Sequence, residues 1–247
     1  MLKQQPATPA LAKYLNDHHA FLAFNAYLWK TIVIAQYGRG RSPDMPPIDP
    51  PSEDGGRSGP VHEMKLHTQY FCQMTFCRGI DSFLVYITDL LTIIFEARPE
   101  ILKSKQQTVT LDFLFEHLAA GDLISALVER KVNELSYLGM KDVAEFCQKK
   151  LHLPLFEDET DLIKATLYVD MRNLITHNRG VVNRIFKQRQ PTVSAELGTT
   201  IEFESDSSVG EIIGFLVYCA RQLDVRAAAK FNLSTLLPMP KEPSPNE

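Results

Sequence analysis

Cysteine is scarce and poorly spaced for chemistry. Only Cys72, Cys77, Cys147 and Cys219 are present, and no two form a Cys-x-x-Cys pair. That excludes a zinc ribbon and a disulfide framework, and it predicts reduced, mostly buried thiols in a cytoplasmic protein. An excess of positive charge is also missing. The 26 Lys and Arg face 30 Asp and Glu, for a net charge of −4, which argues against coating nucleic acid by bulk charge but allows a local basic patch. Long clean apolar runs are absent too. Asn25 and Lys30 interrupt 21–35, and Asp89 interrupts 83–97. Neither reaches the roughly 18–20 residues of a bilayer span, and residues 1–9 have no signal-peptide core, so no membrane segment is expected.

Several chemical signatures are lacking as well. His62 and His67 imitate a zinc-protease pair, but they stand five apart rather than the four that would share a helix face. No metal and no cofactor is therefore expected. Gly38-Arg39-Gly40 lacks the strand–loop–helix setting of a phosphate loop. Ser and Cys residues show neither a nucleophile elbow nor a Cys–His pairing. The single Trp29, with Phe21, Phe24 and Tyr27, reads as core packing.

What is present is helical material. The 247 residues are 45% hydrophobic and 23% charged, enough for a substantial core. Apolar spacing predicts long helices over 8–37 and 61–97, the second closed by Pro99. Shorter helices are predicted over 111–120, 123–137 and 141–151, then one over 158–178 with Gly180 in a left-handed cap position. Ser208 and Glu211 form a capping box that opens a last helix. The stretch 42–60 holds six of the fifteen prolines and reads as a loop. Alternation on either side of Gly198 predicts a small β-hairpin over 192–204, and 237–247 reads as a disordered tail. The expectation is an all-α protein, a helical bundle forming a single domain over 1–236.

One segment carries chemistry. Arg172, Asn173 and His177 fall on one predicted helix. A guanidinium grips a phosphate through two parallel hydrogen bonds, and an imidazole moves a proton near neutral pH. Together they suit RNA cleavage by the ribose 2′-hydroxyl without a metal. Arg172-Asn173-Leu174-Ile175-Thr176-His177 resembles the Arg, four to six residues, His motif of the HEPN superfamily, in the form with Asn directly after Arg. The wider run, with Arg78-Gly79-Ile80-Asp81, Arg98-Pro99-Glu100 and His177-Asn178-Arg179-Gly180, is similar to uncharacterised bacterial members.

The resemblance implies a HEPN-like helical bundle, usually dimeric, with its motif on a late helix. It implies a metal-independent endoribonuclease of a toxin–antitoxin or antiviral defence system, leaving a 2′,3′-cyclic phosphate. An antitoxin or a nucleotidyltransferase-type protein is the partner class such systems bring. Other members have lost catalysis and serve as modules binding a nucleotide, RNA or protein. In the enzyme reading Arg172 and His177 are catalytic, and Asn173 and Asp170 support them.

Helix geometry refines the picture. At about 100° per residue, Ile163, Leu167, Met171 and Leu174 form one apolar stripe, the expected core face. Leu162, Ala165, Val169 and Thr176 form a second, weaker stripe, suited to another helix or to a two-fold mate. Arg172 and His177 lie about 140° apart, which favours a site shared by two copies. Asp170 lies close to the line of Asn173 and His177 and is read as orienting the imidazole. Arg179, Arg184, Lys187 and Arg189 follow, and no Asp or Glu occurs over 171–195. Arg179, Arg184 and Lys187 are read as RNA-binding, or else as a solvated cationic helix end.

Overall fold

Thr8 and Pro9 start the first helix as local chemistry dictates. Pro9 occupies the first helical position, where its missing N–H costs nothing, and the Thr8 hydroxyl accepts from Leu11 N at 3.3 Å. The computed structural model describes residues 6–38, 67–103, 108–203 and 206–236. The helices are α1 (Pro9–Gly38), α2 (Thr68–Ala97), α3 (Leu111–Ala120), α4 (Leu123–Ser136), α5 (Met140–Phe146), α6 (Glu159–Asn178), α7 (Arg184–Arg189) and α8 (Asp206–Phe231). A short 3-10 turn, Pro99–Leu102, follows α2, and a π-helical turn, Cys147–Leu151, extends α5. The protein is all-α, with no strand among the described residues. No described helix is long and apolar enough to cross a membrane.

Caps explain several of the boundaries. Thr110 accepts from Phe113 N to open α3, and Gly121, at φ +75°, closes it. Helix α8 begins at Asp206, so Ser208 lies inside it rather than at its start. The proline-rich stretch 42–60, the start of the second predicted helix at 61–66 and the tail 237–247 lie outside the described residues.

Packing groups the chain into two interleaved units, and α1, α2, α6 and α8 each contribute a segment to both. The first unit takes Met1–Leu15, Ile80–Asp170 and Phe215–Glu247. Its core joins Tyr14, Phe83 and Tyr86, whose rings sit 5.4–6.4 Å apart, to Ile94, Phe95, Val128, Leu216 and Leu223. Ala7 and Leu236 pair in an antiparallel bridge beside it.

The second unit takes Asn16–Gly79 and Met171–Gly214. Its core holds Phe76, Leu174, Val182, Phe186, Phe203, Val209 and Ile213. Phe76 and Phe203 lie with ring centroids 5.0 Å apart. The Gln69 side chain accepts from Phe203 N at 2.9 Å and donates to Phe203 O at 2.6 Å, imitating a neighbouring strand.

The hairpin expected over 192–204 does not form. Residues 199–201 instead pair with 180–182: Val182 N donates to Thr199 O at 2.8 Å, and Ile201 N to Gly180 O at 2.9 Å. The alternation reports a real extended segment, but its backbone partner comes from the turn after α6. Lys187 donates to Val193 O at 2.6 Å, which engages the stretch that would have formed the other arm. Phe24 and Tyr27, read as core, are exposed at 59% and 68%.

Candidate active site

The candidate residues cluster on the last two turns of α6 and the segment after it. Arg172 and Asn173 are half-buried, and the Arg172 guanidinium donates to Asn173 Oδ1 at 3.0 Å. The Asn following the Arg thus fixes the orientation of its neighbour. His177 is exposed, about 7.5 Å further along the axis. Asp170 is buried and belongs to the first unit. It precedes His177 by two turns of helix, about 10 Å.

The end of α6 is closed by two successive left-handed residues, Arg179 at φ +55° and Gly180 at φ +76°. The sequence assigned this role to Gly180 alone. Gly180 N donates to Leu174 O at 3.1 Å, and the Asn178 amide donates to Val181 O. Left-handed geometry at a non-glycine residue is strained, and here it turns the exposed Arg179 side chain off the helix end into solvent. Asn183 then caps α7 by accepting from Phe186 N at 2.9 Å. Buried Phe186 anchors this short helix. Arg184 and Arg189 are exposed, and Lys187 is half-buried through its bond to Val193 O.

The core face expected for α6 is only partly right. Leu174 is buried, but Ile163 is 53% exposed, and Leu167 and Met171 are half-buried. The buried positions are Ala165, Thr166, Asp170 and Leu174. Of the weaker stripe, Ala165 is buried, Leu162 and Val169 are half-buried, and Thr176 is exposed.

Two residues that hold the backbone after α6 and the extended segment 199–203 were given no role in the sequence. Asn178 and Gln69 act through side chain-to-backbone bonds. An Asn one residue before a left-handed pair is a legible signal for the first, because Asn side chains bond nearby backbone readily. Gln69 carries no such local signal. The remaining arginines of the wider run are ion-paired: Arg78 to Asp17 at 2.5 Å and Arg98 to Glu100 at 2.5 Å. No group of His, Cys, Asp or Glu able to hold a metal occurs among the described residues. Searches against family models, curated proteins and solved structures found no match for the chain.

Proposed function

We propose that this chain is a metal-independent endoribonuclease of HEPN type, acting as a homodimer in a toxin-like or antiviral setting. The observation that carries the reading is the Arg172–Asn173 hydrogen bond beside an exposed His177, at the head of a run free of acidic residues. Arg172 would bind the scissile phosphate and neutralise the charge that develops on it. One His177 would take the 2′-hydroxyl proton while the 2′-oxygen attacks phosphorus. The P–O5′ bond then breaks, and the second copy's His177 returns a proton to the leaving oxygen. The products are a 2′,3′-cyclic phosphate and a 5′-hydroxyl. Asn173 positions the guanidinium, and Arg179, Arg184 and Lys187 bind the backbone around the scission point.

Arg172 and His177 point about 140° apart on one helix, which favours a site shared by two copies. The test is cleavage of structured RNA by purified protein in EDTA. Arg172→Ala and His177→Ala should each abolish cleavage while the circular dichroism spectrum is kept. A mixed dimer of the Arg172→Ala chain with the wild type, which keeps both imidazoles and one guanidinium, should retain part of it. Tight binding of intact RNA by the wild type would instead establish a non-catalytic module, and no binding at all would discard both readings.

A further inference from the structure

The first unit contains a cavity of about 520 Å³ between the Pro99–Leu102 turn, the approach to α3 and one face of α4. Its size falls within the roughly 300–1,000 Å³ of small-molecule sites. The α4 wall changes character along its length. Ile124 and Leu127 line the first two turns, and Arg130, Lys131 and Glu134 line the next two. Pro99, Leu102 and Val109 complete the apolar part. Val109 and Ile124 are 41% and 47% exposed, so apolar surface stands open to solvent at this cavity.

The charges of the lining are unbalanced. Both lining carboxylates already have a cation: Glu100 takes Arg98 Nε at 2.5 Å, and Glu134 takes Lys131 Nζ at 3.0 Å. The pairing with Arg98 holds the Glu100 carboxyl below its usual range, so it stays ionised and satisfied. Lys103, which adds to the charge acting on Glu100, and Arg130 are exposed cations of the same lining. An apolar lining of Leu102, Val109, Ile124 and Leu127 with surplus positive charge beside it matches an amphipathic small molecule, a hydrocarbon chain that ends in a carboxylate. We propose that this cavity binds such an amphipathic carboxylate, with its chain along Leu102, Ile124 and Leu127 and its head group at Arg130 and Lys103. This site is independent of the Arg172–His177 reading.

The test is calorimetric titration of the full chain with dodecanoate, dodecanol and dodecyltrimethylammonium below their micelle-forming concentrations. Dodecanoate should bind saturably at one site, dodecanol more weakly and the cation not at all. Exposed Arg130→Glu should weaken dodecanoate about tenfold or more and leave dodecanol unchanged. Leu127→Trp, which fills the cavity, should abolish both, and thermal melting would verify that each variant is folded. The proposal is overturned if dodecanoate does not saturate, if all three amphiphiles bind alike, or if neither folded variant changes its affinity.

Discussion

The junction between the start of α1 and α8 provides the sharpest test of the packing argument. Thr8 and Asp224 are both fully buried. Asp224 accepts from Thr8 N at 2.9 Å and from the Thr8 hydroxyl, and the same hydroxyl accepts from Leu11 N to cap the helix. Thr8→Val keeps the shape and removes only the oxygen. It leaves a buried carboxyl oxygen short of a donor, which costs about 1–3 kcal/mol, and it removes a cap worth about 1 kcal/mol. The expected loss is about 2–4 kcal/mol, a fall in Tm of roughly 4–16 °C for a chain of this size. Urea denaturation followed by circular dichroism, with calorimetry for Tm, measures it. Combining Thr8→Val with Asp224→Asn should show a coupling of at least about 1 kcal/mol, because both changes strike one network. A Thr8→Val loss below about 0.5 kcal/mol would refute the view that this contact secures the α1 start.

Three further outcomes follow from the same structure. Burial raises the Asp224 carboxyl, and the bonds from Thr8 and Tyr86 oppose that rise. The folded state therefore holds this proton more tightly than the unfolded chain does. Its contribution is full below the ordinary carboxyl range and is lost as pH rises through the raised folded value. The stability advantage of wild type over Asp224→Asn should thus shrink with rising pH across that window, as urea midpoints at stepped pH would show. At Gly79 an added Cβ would sit 2.8 Å from Ile213 Cγ1. Gly79→Ala should cost about 1 kcal/mol net, overpacking outweighing helix propensity, and thermal melting of the folded variant would measure it. Burial pushes the Cys147 and Cys219 thiols up to about 12. Half-buried Cys77 should therefore react first with a thiol reagent at mildly alkaline pH, and mass spectrometry of the partly labelled native protein would locate the label.

Which parts of this structure were legible depended on how local their causes are. The bounds of α3, read as 111–120, and the end of α6, read from Gly180, held because caps and left-handed turns are decided within a few residues. The short helix α7 went unseen. Its six residues bury Phe186 alone, and the charge of Arg184, Lys187 and Arg189 masked any period. The hairpin failed for a different reason. Extended character is local, but the choice of backbone partner is not, and residues 180–182 and the Gln69 side chain supply the partners of 199–203.

Helix α6 shows why a candidate site is harder to read than a helix. Apolar periodicity placed the core face on Ile163, Leu167, Met171 and Leu174, yet the buried positions run through Ala165, Thr166 and Asp170 before reaching Leu174. Small and polar residues bury little apolar area, so they weigh little in a hydrophobic pattern. They are nonetheless what lets helices approach closely, provided that each polar group is satisfied. Thr166 meets that condition by donating to Leu162 O at 2.7 Å. With the buried edge set this way, Arg172 and Asn173 lie half-buried beside Leu174 while His177 reaches solvent one turn on. On the proposed reading, a guanidinium held in place and an imidazole left exposed, turned about 140° apart, would make half of a phosphate site. A two-fold axis along this helix would double that half into a groove with two of each group.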